Sequence, residues 1–393
     1  MPKLRRVTGH EGHPSARRVH LFSAVFSVDN PLPLTPSREG RGDAVCSRRG
    51  APMTAAASVL RGAATSSVLW AILGGLVIGA LITLAAGHDP VAVYGEILAG
   101  ALVGPNLAET VARAVPLVGM TLVAAIPLRG GMVNLGGDGQ LVLGGLVAAV
   151  VALYLPAPGE VRLAAAILAA MAVSGAYAAL AAWGEVRFGV PLLISTLLLS
   201  YPAQGVSSYL ARFPLRDPST GMPETYRVEE AARLPVLVPG TPITWGLVLL
   251  LLVIAAVVFT DRRGTAGYEL RLRGLNPRFV AYGGVDLGRQ TVRTLFASGA
   301  VAGLVGAMLV LGDQFRFTDN ALLSPAYTWS GLMAALLAMG EPIGAVCAGL
   351  FFAALQTGGF AMERATEVPR VLTLVLQAVI ILLLAMRHGL RRR

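Results

Sequence analysis

Residues 130–145 read GGMVNLGGDGQLVLGG, and place Asn134, Asp138 and Gln140 among seven glycines. One acid and two carboxamides can cap helix starts, satisfy freed backbone groups or meet a polar solute. Asn134 and Asp138 each suit an N-cap, and a carboxylate at the start of an apolar run is favoured by the helix dipole. Gln140 adds two donors and an acceptor. Two readings stay open: a break whose polar groups face a solute, or a break that only satisfies itself, with Asp138 paired to Arg129.

A second polar stretch, GTAGYELRLRGLNPRFVAYGGVDLGRQ, runs from Gly264 to Gln290. Asn276 before Pro277 reads as an N-cap followed by proline at the first helical position, and Gly283 with Gly284 suits the stop. This predicts a short helix over 277–282, with Phe279, Val280 and Tyr282 as its apolar surface. A partner's groove could take that surface. The alternative is a helix lying on lipid headgroups, with Arg271, Arg273 and Arg278 on phosphates.

The elements that must position these groups cross a membrane. The chain of 393 residues is 55% hydrophobic and 14% charged, with a mean hydropathy of +0.66. Uncharged runs near the ~20 residues needed to span the hydrocarbon lie at 66–87, 111–128, 139–157, 163–183, 190–211, 242–260, 294–312, 344–362 and 369–386, with a shorter one at 326–340. The predicted fold is therefore an all-α, integral-membrane, polytopic bundle of about ten transmembrane helices, with a broken, glycine-rich central region. Irregular backbone at membrane depth survives only when protein encloses it or it lines a watery cavity, so the 130–145 break should point inward.

Basic residues collect on the cytoplasmic side. Ten precede residue 66, seven arginines lie in 261–293, and Arg387, Arg391, Arg392 and Arg393 close the chain. Both termini and the 261–293 loop are thus expected to be cytoplasmic. Loop 212–241, with four arginines against four acids, is expected on the extracytoplasmic side. Residues 1–52 are rich in Arg, Pro, Ser and His without apolar period; they are expected to be disordered, with Met53 the real start of the domain 53–393.

Several chemistries are excluded. Lys3 is the only lysine, so no GxxxxGK[ST] phosphate loop exists, and GxGxxG fails because Val142 follows Gly137 and Gly139 where a third glycine belongs. The histidines, at 10, 13, 20, 88 and 388, lie outside the apolar spans, apart from any Ser-His-Asp or HExxH arrangement. Cys46 and Cys347 provide neither a disulfide framework nor a metal site. No cofactor is implied. The net charge of +10 sits at membrane edges without interleaved aromatics, which speaks against nucleic acid.

These motifs resemble the membrane permease subunits of bacterial ABC importers for simple sugars and nucleosides. Asn134, Gly136, Gly139 and Gln140 match that family's Asn-Ile-Gly-x-Glu-Gly-Gln signature, with Leu135 for its Ile and Asp138 for its Glu. VPLLISTLLLSY, Val190 to Tyr201, is similar to its Val-x-Glu-Val-Ile-x-Thr-Leu-Met-Leu-Asn-Tyr segment through Ile194, Thr196, Leu197, Leu199 and Tyr201; Leu192 and Ser200 replace its Glu and Asn. Arg271, Gly274, Asn276, Pro277, Ala281, Tyr282 and Gly284 match its cytoplasmic motif, and SGAVAGLVGA matches the segment after it.

The resemblance implies a solute pathway near Asn134, Gly136, Asp138, Gly139, Gln140, Thr196, Ser200 and Tyr201. It implies that 277–282 is a coupling helix, with Arg271, Arg273, Gly274, Asn276, Pro277, Phe279, Ala281, Tyr282 and Gly284 serving ATPase coupling. The implied partners are cytoplasmic ABC ATPase subunits, a second permease of different sequence, and an extracytoplasmic solute-binding lipoprotein, all at a bacterial inner membrane. ATP would be hydrolysed on a partner chain. An ion- or proton-coupled secondary transporter is the rival reading. It would need ionisable groups deep in the spans, and few are present.

Overall fold

The computed structural model describes residues 67–366 except 86 and 105, together with part of 371–383. Residues 1–52 and the tail after 386 lie outside the described residues, as does half of the predicted span 369–386.

The regular structure of the described residues is helical, with three isolated β-bridges. In chain order the helices are α1 Ser67–Ala85, α2 Pro90–Leu102, α3 Asn106–Arg129, α4 Gly137–Tyr154, α5 Gly159–Phe188, α6 Leu192–Arg212 and α7 Gly246–Arg263. There follow α8 Thr265–Leu275, α9 Pro277–Tyr282, α10 Leu287–Leu309, α11 Tyr327–Leu337 and α12 Pro342–Thr366. Among the described residues, five apolar segments are long enough to cross a membrane: Asn106–Arg129, Gly137–Tyr154, Gly159–Phe188, Leu287–Gln314 and Pro342–Thr366.

The sequence reading missed α2 and α8. Asp89 caps α2, accepting from Val91 N–H at 2.9 Å, and Pro90 starts it; but 13 residues including Glu96 fall short of a recognisable span. In α8 the alternation of arginines with leucines gives no helical stripe, although Gly264 and Asn276 bound it.

The bundle centres on α10, which is buried along most of its length. Glycines bring it against its neighbours. A methyl group on Gly303 would lie 2.2 Å from the Ala170 carbonyl oxygen of α5, and one on Gly306 would lie 2.3 Å from the Leu141 carbonyl oxygen of α4. Apolar side chains have no hydrophobic reason to associate in lipid, so such close approach and its dispersion energy do the packing.

One end of the bundle carries the arginine-rich hook of α8 and α9. The other is closed by segment 213–245, which pairs with residues beyond α10. There Thr225 N–H donates to Phe317 O at 2.9 Å, Val228 N–H donates to Phe315 O at 2.8 Å, and Glu224 pairs with Arg316. Between α10 and that loop the helix widens into a π-turn, Val310–Gln314, followed by Phe315 at a left-handed φ of 56°.

Candidate functional site: a polar knot at mid-depth and an exposed hook

Chain direction reverses at Arg129. Gly130 and Gly131 turn it, and residues 132–136 run back into the bundle without helical bonds before α4 starts at Gly137. The predicted break is therefore a re-entrant, non-helical segment, and α4 opens two residues earlier than the expected span. Neither Asn134 nor Asp138 is the N-cap; that position is Gly136, with no side-chain cap.

Asn134 instead ties a buried knot. Its Oδ1 accepts from Gly136 N–H at 2.9 Å and Gln140 Nε2 at 3.2 Å, while its Nδ2 donates to Gln140 Oε1 and Ser298 Oγ, both at 3.0 Å. Ser298 Oγ donates to Val123 O at 2.6 Å, Ser174 Oγ donates to Gln140 O at 2.8 Å, and Leu135 N–H donates to Thr196 Oγ1 at 3.1 Å. Asn134, Gln140, Thr196, Ser200 and Ser298 are all buried. One polar cluster thus joins α3, α4, α5, α6 and α10, as a low dielectric requires of buried polar groups.

Gly139 presses α4 onto α6: a Cβ there would lie 2.6 Å from Ser200 Cα. Of the predicted pathway residues, Asn134, Gly136, Gly139, Gln140, Thr196 and Ser200 meet here. Tyr201 does not join them; it is 63% exposed on the outer side of α6. Ser298 and Ser174 were missed because each reaches the knot from a distant helix, where a serine among alanines and glycines reads as packing.

Asp138 points elsewhere. Its carboxylate lies beside the side chains of Thr328 and Trp329, in the first turn of α11. The starts of α4 and α11 meet beside Met120, which is nine residues above Arg129 and hence about 14 Å from that end of α3. Two helix N-termini, each carrying roughly half a positive charge, converge on one carboxylate at mid-depth.

The Asp138–Arg129 pair weighed from sequence is not formed. Arg129 Nε donates to Asp261 Oδ1 at 3.0 Å, locking the end of α3 to the end of α7. The Asp261 side chain is only 10% exposed and that of Arg129 24%, so Arg129→Ala should strand an acid and destabilise the protein by about 2–3 kcal/mol. Thermal melting in detergent checks this: the double variant Arg129→Ala/Asp261→Ala should recover part of the loss, and equal melting of the single variant and parent would refute it.

The hook carries the second cluster. Helix α9 has the bounds expected from Asn276, Pro277 and Gly283, and Asn276 Oδ1 accepts from Phe279 N–H at 3.1 Å. Gly284 takes a φ of 85°. Phe279 and Tyr282 are 63% and 92% exposed, with Ala281 and Arg278 exposed beside them. Val280 is corrected: at 3% exposure it faces inward and anchors the hook.

Arg273 is also an anchor, not a headgroup contact, since its Nη1 donates to Leu287 O at 3.0 Å. Burial pushes its pKa below the ordinary arginine value, and the Glu185 carboxylate opposes that. Gly274 lets α8 pass the Arg129 carbonyl, 2.5 Å from where a Cβ would stand. Arg271 is half-buried. Among the described residues no cluster of metal-ligating side chains occurs.

The model of the family described as "Branched-chain amino acid transport system / permease component" matches residues 106–385, which takes in the re-entrant segment, the knot and the hook. The chain belongs to this family. The permease is also similar to the glucose ABC transporter permease protein TsgB13 of Haloferax volcanii, at 31% identity over 332 residues, covering 82% of this chain and 87% of that protein. It is 29% identical to the guanosine ABC transporter permease protein NupP of Bacillus subtilis, covering 82% of this chain and 93% of the relative. Against the nucleoside ABC transporter permease protein NupB of Lactococcus lactis it is 28% identical, with 79% and 88% covered. No solved structure matches the permease. The family is one of transport permeases, not of catalysts.

Proposed function

We propose that this permease is half of the membrane pathway of an ABC importer for uncharged nucleoside-like or sugar-like solutes. Separate ATPase subunits would bind on the face of the hook, which is then cytoplasmic, with both chain termini on the same side of a bundle of about ten spans. A second permease completes the pathway, and a binding protein delivers solute to the opposite face, at the 213–245 loop. The curated relatives named for glucose, guanosine and nucleosides support the solute class. So does Asp138, because a carboxylate already sits where two helix starts would attract an anion.

The observation that carries the reading is the hook: a capped six-residue helix presenting Phe279 and Tyr282 bare on the arginine-rich face. ATP-driven closure of the ATPases would draw two such helices together and reorient the bundle. For this the two packings must differ by only a few kcal/mol. The polar groups at Asn134, Gln140, Thr196 and Ser200 flank the pathway and Asp138 faces it. In this conformation the knot's bonds are made within the chain, so a passing solute would meet weak, exchangeable contacts.

Phe279→Asp combined with Tyr282→Asp is expected to cut ATP-dependent solute uptake at least about thirty-fold, the equivalent of losing an interface hot spot of roughly 2 kcal/mol. Its melting temperature should be unchanged, since both side chains are exposed. The test pairs vesicle uptake with mild-detergent co-purification. Uptake and ATPase recovery both equal to the parent would sink the assignment, and a chain that purifies alone yet transports on a proton gradient would favour the secondary transporter.

A further inference from the structure

A cavity of about 850 Å³ lies under the hook, walled by α3, α5, α7, α8 and α10. Its depth is lined by Ile126, Met171, Val253, Val257 and Val301, and its rim by Arg129, Asp261, Glu269, Asp286, Arg289 and Arg293. Polar side chains such as Thr260, Gln290 and Thr294 are few in this lining, and the charged groups sit together at one end. That division suits an amphiphile entering from the adjacent leaflet, where Ala256 on α7 and Ala297 on α10 are exposed at the cavity wall.

The rim also selects a headgroup. Arg129 is engaged by Asp261 at 3.0 Å and Arg289 by Asp286 at 3.2 Å. Arg293 and Glu269 remain, one of each sign, and among the described residues neither forms an ion pair. We propose that this cavity holds a phospholipid whose headgroup carries a primary ammonium, with its phosphate on Arg293, its ammonium on Glu269 and an acyl chain between α7 and α10. Basic rims between membrane helices at the cytoplasmic edge commonly bind lipid phosphate; the free Glu269 adds a demand for a hydrogen-bonding cation.

Native mass spectrometry of the full, delipidated chain, offered equal amounts of phosphatidylethanolamine, phosphatidylcholine and phosphatidylglycerol of one acyl composition, tests this. Phosphatidylethanolamine should be retained about ten-fold over phosphatidylcholine, the worth of one charge-assisted hydrogen bond. In Glu269→Gln that ratio should fall to about one, and in Arg293→Gln retention of all three lipids should drop. Ala297→Trp, at an exposed wall position, should block retention without shifting the melting temperature. The proposal is overturned if phosphatidylethanolamine and phosphatidylcholine bind equally, if phosphatidylglycerol is preferred, or if the preference survives Glu269→Gln or Ala297→Trp. Displacement of the lipid by a nucleoside or sugar would equally overturn it, by making the cavity part of the solute pathway.

Discussion

Gly303→Val should prevent stable accumulation of the protein in the membrane. A Cβ at this position would lie 2.2 Å from the Ala170 carbonyl oxygen and 2.8 Å from both Ala170 C and Ser174 Cβ. Most of these atoms are backbone of α5, so no rotamer change can make room. Gly144 faces the same spot from α4, where a Cβ would stand 2.5 Å from Gly303 Cα. Relief therefore needs two helices to move away from α10 together, opening the best-packed part of the bundle. A loss of about 4–5 kcal/mol or more is expected, at the extreme of single substitutions. Gly205→Ala is the control: nothing lies within 4 Å of a Cβ there, and alanine in a helix gains up to ~1 kcal/mol. Membrane yield and detergent melting temperature are the readouts, and a Gly303→Val protein that melts with the parent would refute the packing described for α10.

The second large effect belongs to Asn134. Asn134→Leu keeps the volume but removes the partner of Gly136 N–H and of both ends of the Gln140 amide, while Ser298 keeps its bond to Val123 O. Each buried polar group left unmatched costs about 1–3 kcal/mol, so a total near 3–5 kcal/mol is expected. Replacing both carboxamides, Asn134→Leu with Gln140→Met, should be less harmful than the sum of the two single changes, because paired polar groups removed together leave fewer orphans. Melting of the four proteins of this cycle measures the coupling. Strict additivity would mean the two amides do not depend on one another.

Much of this was legible in the sequence where local rules act. The bounds of α9 follow from Asn276, Pro277 and Gly283, and the inward break follows from glycines between apolar runs. Legibility ended where partners are far apart in the chain. Arg129 with Asp261, and Asn134 with Ser298, are separated by 132 and 164 residues; nothing in their surroundings marks them as mates. Val280 shows the other limit. A six-residue helix is too short for a periodicity to reveal which side is covered, and only packing against the rest of the hook decides it.

The glycine contacts of α10 carry a consequence for temperature. Burial from water loses strength on cooling, whereas dispersion between backbones within hydrocarbon carries no such hydration term. An interface made of Gly144, Gly303, Gly306 and the carbonyls they touch should therefore hold its grip in the cold, while the 213–245 loop, which meets water, relaxes. A chilled membrane would slow this permease through its loops and its lipid, with the helical frame around α10 unchanged.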